Sequence, residues 1–211
     1  MPLDPALLPD IETIRLRAKA LAMVEAILSP GWEDRYFSFN ASWGEGEEMG
    51  SMRNGSGDDW FLLLGAFGAA IKGLAHETPL AGDKAFAAAV QSQVPKTFSS
   101  FLKEPAFAMD WLSYCYWRSP EDPHWQKVVS SNSAVDGESD GSEEFLALLV
   151  EPATSYVEFA QWYYEIEVPL ASVKRIYRVE QLTEALVGSL NPELAFVEAQ
   201  AFAAEIGYPS A

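Results

Sequence analysis

The sequence predicts an α+β fold: an antiparallel β-meander of four to five strands covered by an N-terminal helix and a helical C-terminal region. Three observations carry this reading. Apolar residues recur at the helical period over 11–29. The period becomes two, with turn signals between runs, over 34–76. The helical period then returns beyond residue 143.

In the first segment Ile14, Leu21 and Leu28 lie seven apart, flanked by Leu16, Ala20, Met23, Val24 and Ile27, and Pro30-Gly31 stops the helix. Residues 35–39 (RYFSF) alternate as a strand does. Further strands are expected at 48–53, 59–64 and 69–75. Asn54-Gly55 signals a type I′ hairpin, whose two central residues need positive φ, and Gly65 and Gly68 bracket another tight connection. Residues 111–118, with Tyr114, Tyr116 and Trp117, supply a fifth strand after helical stretches at 83–93 and 96–102. The polar run SSNSAVDGESDGS at 130–142 reads as a mobile loop. Helices follow at 143–150, 154–164, 171–177, 179–190 and 192–206. Asn191-Pro192 is read as the cap of the last helix and Gly207-Tyr208-Pro209 as its stop. One domain over 1–211 is expected, β-rich at 34–118 and helical at 143–206.

Charge is the strongest compositional fact. Lys and Arg number 14 against 31 Asp and Glu, a net charge of −17. Such a chain repels phosphate backbones, so neither nucleic acid nor an anionic membrane is an expected partner; the one tight basic cluster is Lys174, Arg175 and Arg178. No apolar run approaches the ~20 residues that span a bilayer. No basic, apolar leader precedes the first helix, and Cys115 is the single cysteine, so a cytoplasmic location is expected. The acidity has an address. Residues 1–130 hold 11 bases and 17 acids, residues 131–211 hold 3 bases and 14 acids, and between Val128 and Val173 there are nine acids and no base.

Templates for catalysis fail on inspection. There is no G-x-S-x-G elbow, no P-loop, no G-x-G-x-x-G and no cysteine pair, and His76 and His124 are the only histidines. No cofactor and no metal are expected. Asp136-Gly137-Glu138-Ser139-Asp140-Gly141 imitates the start of a calcium loop, but Ala147 stands where the bidentate Glu would be needed. That stretch reads as a solvated loop ending in a helix cap, with Ser142 as the N-cap.

Two residue sets remain. Arg53, Asp58, Lys72, His76 and Glu77 fall at one end of an up-and-down meander, where His, Arg and carboxylates could bind a small ligand or perform acid–base work. Glu158, Trp162, Glu165 and Glu167 lie on or beside a helix that also carries Tyr156, Phe159 and Tyr163. Carboxylates beside aromatics suit a basic protein partner, although the spacing of the last three is also that of core packing.

Trp43–Met49 (WGEGEEM), Ser51–Asp59 (SMRNGSGDD), Ala70–Gly73 (AIKG) and Glu104–Phe107 (EPAF) together resemble an uncharacterised bacterial family of cytosolic proteins, a likeness that covers much of the chain and implies no particular activity. In size and charge the chain is also similar to the acidic immunity proteins that neutralise toxins, which transfers no residue roles. The sequence therefore points to a non-catalytic protein-binding factor of immunity or antitoxin character. An enzyme or small-ligand binder with its site at the end of the meander is the alternative.

Overall fold

A computed structural model describes residues 1–130 and 139–211. Among them the sheet is a six-stranded antiparallel meander in strict chain order: β1 (Phe37–Gly44), β2 (Glu47–Arg53), β3 (Asp59–Gly65), β4 (Gly68–Leu74), β5 (Tyr114–Arg118) and β6 (Gln126–Lys127). The α+β class is as expected, with six strands in place of four to five. The additional strand β6 is only two residues long and pairs Tyr116 with Lys127, too short for a period-two signal to register. Residues 111–113 lie outside β5, and Trp111 is half exposed.

Strand alternation sorts the side chains onto two faces, and helices cover both, where one covered face would satisfy a meander. On the first face Phe37, Phe39, Trp60, Leu62, Ile71, Tyr114 and Tyr116 pack into the larger core. Its cover is α1 (Ile11–Leu28), backed by α6 (Ala153–Tyr163), α7 (Leu170–Tyr177), α8 (Glu184–Leu190) and α9 (Phe196–Ile206). On the second face Leu63, Ala70, Cys115 and Trp117 meet Phe86, Val90, Phe98, Phe101 and Phe107, which come from α2 (Lys84–Gln93), α3 (Ser99–Lys103) and the 3₁₀ turns beside α3. Cys115 is wholly buried there, and burial pushes its thiol pKa far up.

α1 explains why the C-terminal helices gather where they do. Asp10 caps it by accepting from the Thr13 amide at 2.9 Å, and Ser29 closes it. Every residue from Ala20 to Ile27 is buried, so α1 is amphipathic in its first half and enclosed in its second. Glu25 is buried with them, wholly inaccessible.

Several local expectations are corrected by longer-range contacts. The β2–β3 connection is a five-residue loop, not a two-residue I′ hairpin: Asn54 Oδ1 accepts from the amides of Ser56 and Asp58, and Gly55 has φ +74° while Asn54 stays at negative φ. The segment 143–150 divides into α4 (Ser142–Phe145) and α5 (Ala147–Val150) around buried Leu146. Gly141, with φ +83°, precedes the first of these; Ser142 lies inside it, its hydroxyl accepting from the Leu3 amide at 2.8 Å. α8 begins at Glu184, since Leu182 donates to Pro209 O and Thr183 caps the helix. Asn191 does not cap α9. It donates to Ile27 O at 2.8 Å, tying the end of α1 to the α8–α9 connection. Most of the 130–142 loop, with Asp136 and Glu138, falls outside the described residues. Asp140 is buried and paired with Lys127 at 2.6 Å.

Among the described residues no helix is long and apolar enough to cross a membrane, and no group of three or more His, Cys, Asp or Glu could hold a metal ion. In the basic cluster, Arg175 and Arg178 both bind Glu180.

β4 is buried along its whole length and built mostly of small residues, which leaves room for the aromatic rings of β5. At Gly73 an added Cβ would sit 1.9 Å from Tyr114 Cζ, inside the core. Gly73→Ala should therefore lower stability by about 1–3 kcal/mol through overpacking. Gly188, exposed in α8 with nothing within 4 Å of an added Cβ, should do the reverse as Gly188→Ala, gaining about 0.5–1 kcal/mol. Urea midpoints of the two variants check the pair, and a neutral result at Gly73 would show that the strand can shift to accept a methyl group.

Candidate functional site

The cleft begins with where the meander ends. β2 and β4 both run out at the same sheet end, where the loop 54–58 and the segment after Leu74 come together. Asp58 is nearly buried in that corner. One of its carboxylate oxygens accepts from the His76 amide at 2.9 Å and lies 2.7 Å from His76 Nδ1; the other accepts from Asn54 Nδ2 at 2.6 Å. Burial pushes the Asp58 carboxyl up, but the hydrogen bonds from His76 and Asn54 outweigh it and hold the pKa below the ordinary carboxylate value. His76 itself is 40% exposed at its side chain.

Opposite this corner stand α4, α5 and α6. Between the two walls lies a cleft of about 760 Å³. Asp58, Ala75, His76, Glu77 and Thr78 line the sheet side; Glu144, Phe145, Leu148 and Glu151 line the α4–α5 side. α6 contributes Ser155, Glu158, Phe159, Trp162 and Tyr163, a stripe at helical spacing, and Tyr36 and Phe37 close the floor. Five carboxylates therefore line the cleft (Asp58, Glu77, Glu144, Glu151, Glu158). Among its described lining residues there is no lysine and no arginine.

The aromatic floor is fixed from behind. The Glu25 carboxylate accepts from Tyr156 OH at 2.6 Å, from the Tyr36 amide at 2.9 Å and from Tyr164 OH. Burial raises its pKa; the hydrogen bonds from the two tyrosines and from the backbone oppose that without cancelling it. Held this way, Tyr36 packs edge-on against Phe159 and Tyr163, with ring centroids 4.8 and 5.0 Å apart.

The residues singled out from sequence thus divide differently from the way they were grouped. Asp58, His76 and Glu77 meet at the cleft. Arg53 and Lys72 do not, for a reason of parity. Arg53 pairs in register with Asp59, and Lys72 with Phe61, so both belong to the second sheet face. Lys72 is buried there against Asp59 at 2.6 Å, its pKa lowered by burial and only partly restored by Asp59. The Arg53 guanidinium lies 4.1 Å from the centre of the Trp32 ring. From the second set Glu158 and Trp162 line the cleft, whereas Glu165 and Glu167 are exposed on the connection after α6, away from its lining. The cleft residues that sequence reasoning missed are Tyr36, Asn54, Glu144 and Glu151. For Glu144 and Glu151 the acid run between Val128 and Val173 was the visible signal, without a way of showing what it would face; Asn54 showed only as a turn residue and Tyr36 only as part of a strand.

The buried Glu25 carries a pH signature. Because its folded pKa is raised above the ordinary 4.5, its contribution to stability is fully present below that value and is lost as pH rises toward the folded pKa. Glu25→Gln removes this dependence while leaving one hydrogen-bond donor facing another, a cost of about 1–3 kcal/mol. The advantage of the wild type over the variant, read from urea midpoints, should be largest at the acid end and shrink as the pH is raised to about 8. Parallel curves would contradict the assignment.

The chain matches no protein-family model, no curated protein and no solved structure.

Proposed function

We propose that the chain is a non-catalytic protein-binding factor, of the kind an acidic immunity or antitoxin-like protein represents, and that it receives a basic segment of a partner protein in this cleft. The observation that carries the reading is the lining: five carboxylates and a floor of aromatic rings, with no lysine or arginine among the described lining residues. An exposed carboxylate paired singly gains only about 0.2–1 kcal/mol. Several around one concavity reinforce each other, and a net charge of −17 speeds the encounter with a cation. The volume, about 760 Å³, lies within the roughly 300–1,000 Å³ typical of small-molecule and cofactor pockets, so it takes side chains of a partner and not a folded domain.

The test is calorimetric titration of a capped lysine-rich peptide, with the matching glutamate-rich peptide as control, at low and at moderate salt. The basic peptide should bind, more weakly as salt rises; the acidic one should not. Glu77→Gln with Glu144→Gln should weaken binding more than Glu193→Gln with Glu198→Gln, which removes the same charge from exposed positions outside the cleft. Equal losses would assign the attraction to overall acidity and remove the cleft from the account.

The Asp58–His76 pair favours a second use of the same cleft, proton transfer to or from a small ligand. A carboxylate at 2.7 Å from Nδ1 favours the tautomer with the proton on that nitrogen, which leaves Nε2, 3.9 Å from Glu77 Oε1, as the acceptor. Nitrogen NMR of His76 should show that tautomer in the wild type and a mixture in Asp58→Asn. An unchanged tautomer would end the acid–base reading.

A further inference from the structure

We infer that the cation taken by the cleft is the guanidinium of an arginine side chain on the partner, stacked on Trp162 and paired with Glu158; this rests on the reading of the cleft as a site for a basic segment. Trp162 is 77% exposed, the most exposed of the Phe, Tyr and Trp residues described, and it lines the cleft beside Glu158. An indole presented next to carboxylates is a side chain that a partner's cation can cover.

The chain's own rings take both kinds of cation, the guanidiniums at closer range: Arg53 lies 4.1 Å from the centre of the half-exposed Trp32 ring and Arg35 4.4 Å from that of Phe202, whereas the ammoniums of Lys19, Lys127 and Lys72 lie 5.2, 5.3 and 5.4 Å from the rings of Phe39, Tyr116 and Phe61. Among the described residues no cation of the chain lies over Trp162. Glu158 stands one helical turn before it on α6, at the i, i+4 spacing that places two side chains on one face. A flat cation laid on the indole can therefore present its edge N–H groups to the Glu158 carboxylate, with Glu144 and Glu151 on the facing wall. An ammonium can gain the charge contact, but it has no planar face to stack and no fork to pair bidentately. Arginine should therefore be preferred to lysine.

The experiment titrates capped tri-arginine and tri-lysine peptides into the wild type, Trp162→Ala, Trp162→Phe, Glu158→Gln and the off-site control Glu193→Gln. The two Trp162 changes and Glu158→Gln are at exposed positions, so the fold should be retained, which circular dichroism verifies. In the wild type tri-arginine should bind about three- to ten-fold more tightly than tri-lysine, the range a stacked cation gives at a partly desolvated site. Trp162→Ala should abolish that preference, bringing tri-arginine down to the level of tri-lysine, and Trp162→Phe should restore part of it. Glu158→Gln should weaken tri-arginine more than tri-lysine, and Glu193→Gln should weaken neither selectively. Equal affinity for the two peptides in the wild type, or a preference that survives Trp162→Ala, overturns the arginine assignment while leaving the basic-segment reading in place. If neither peptide binds, both fall together.

Discussion

A single buried carboxylate holds the two halves of this molecule in register. Glu25 sits in the enclosed half of α1 and gathers the Tyr36 amide from the approach to β1, Tyr156 from α6 and Tyr164 from just beyond it. Taking an unpaired carboxylate out of water would be prohibitive, so the three donors are conditions of the fold and not decoration. Meeting them fixes the position of α6 relative to the sheet. Once α6 is fixed, the neighbouring stripe of Ser155, Glu158, Phe159, Trp162 and Tyr163 lines the cleft.

The electrostatics of the cleft follow from the same geometry. The acid-rich stretch after Val128 and the polar turn at the end of the meander are far apart in sequence and invite separate explanations. α4 and α6 bring them onto facing walls, with Glu144 and Glu158 opposite the Asp58–His76 corner. The positive groups that could have neutralised this concavity are withdrawn: Lys72 and Arg53 lie on the second sheet face, and Lys127 is engaged with Asp140. The result is a concavity lined with carboxylates and aromatic rings.

Much of the architecture was legible because it rests on periodicity. α1, the first five strands and the last helices all announce themselves through spacing that burial demands. What was not legible depends on parity and on long-range partners. Arg53 and Lys72 were grouped with His76 because strand ends coincide, but one residue of offset sends a side chain to the other face. Asn191 looked like a helix cap and serves instead as a tie to Ile27, a partner no local pattern reveals. Ser142 similarly spends its hydroxyl on Leu3 and Tyr116. The cleft itself was visible only in fragments, since its two walls are contributed by segments more than sixty residues apart.

Cys115, on the sheet face turned away from the cleft, is sealed beneath α2 and α3, with a thiol that burial keeps protonated. Since the thiolate is the reactive form, the native chain is chemically silent toward sulfur reagents while its sheet is intact. A cysteine placed on the rim of the cleft would be the molecule's one addressable thiol, with no need to remove the native one. Dyes, cross-linkers or spin labels could then be installed at the cleft wall of an otherwise unaltered protein.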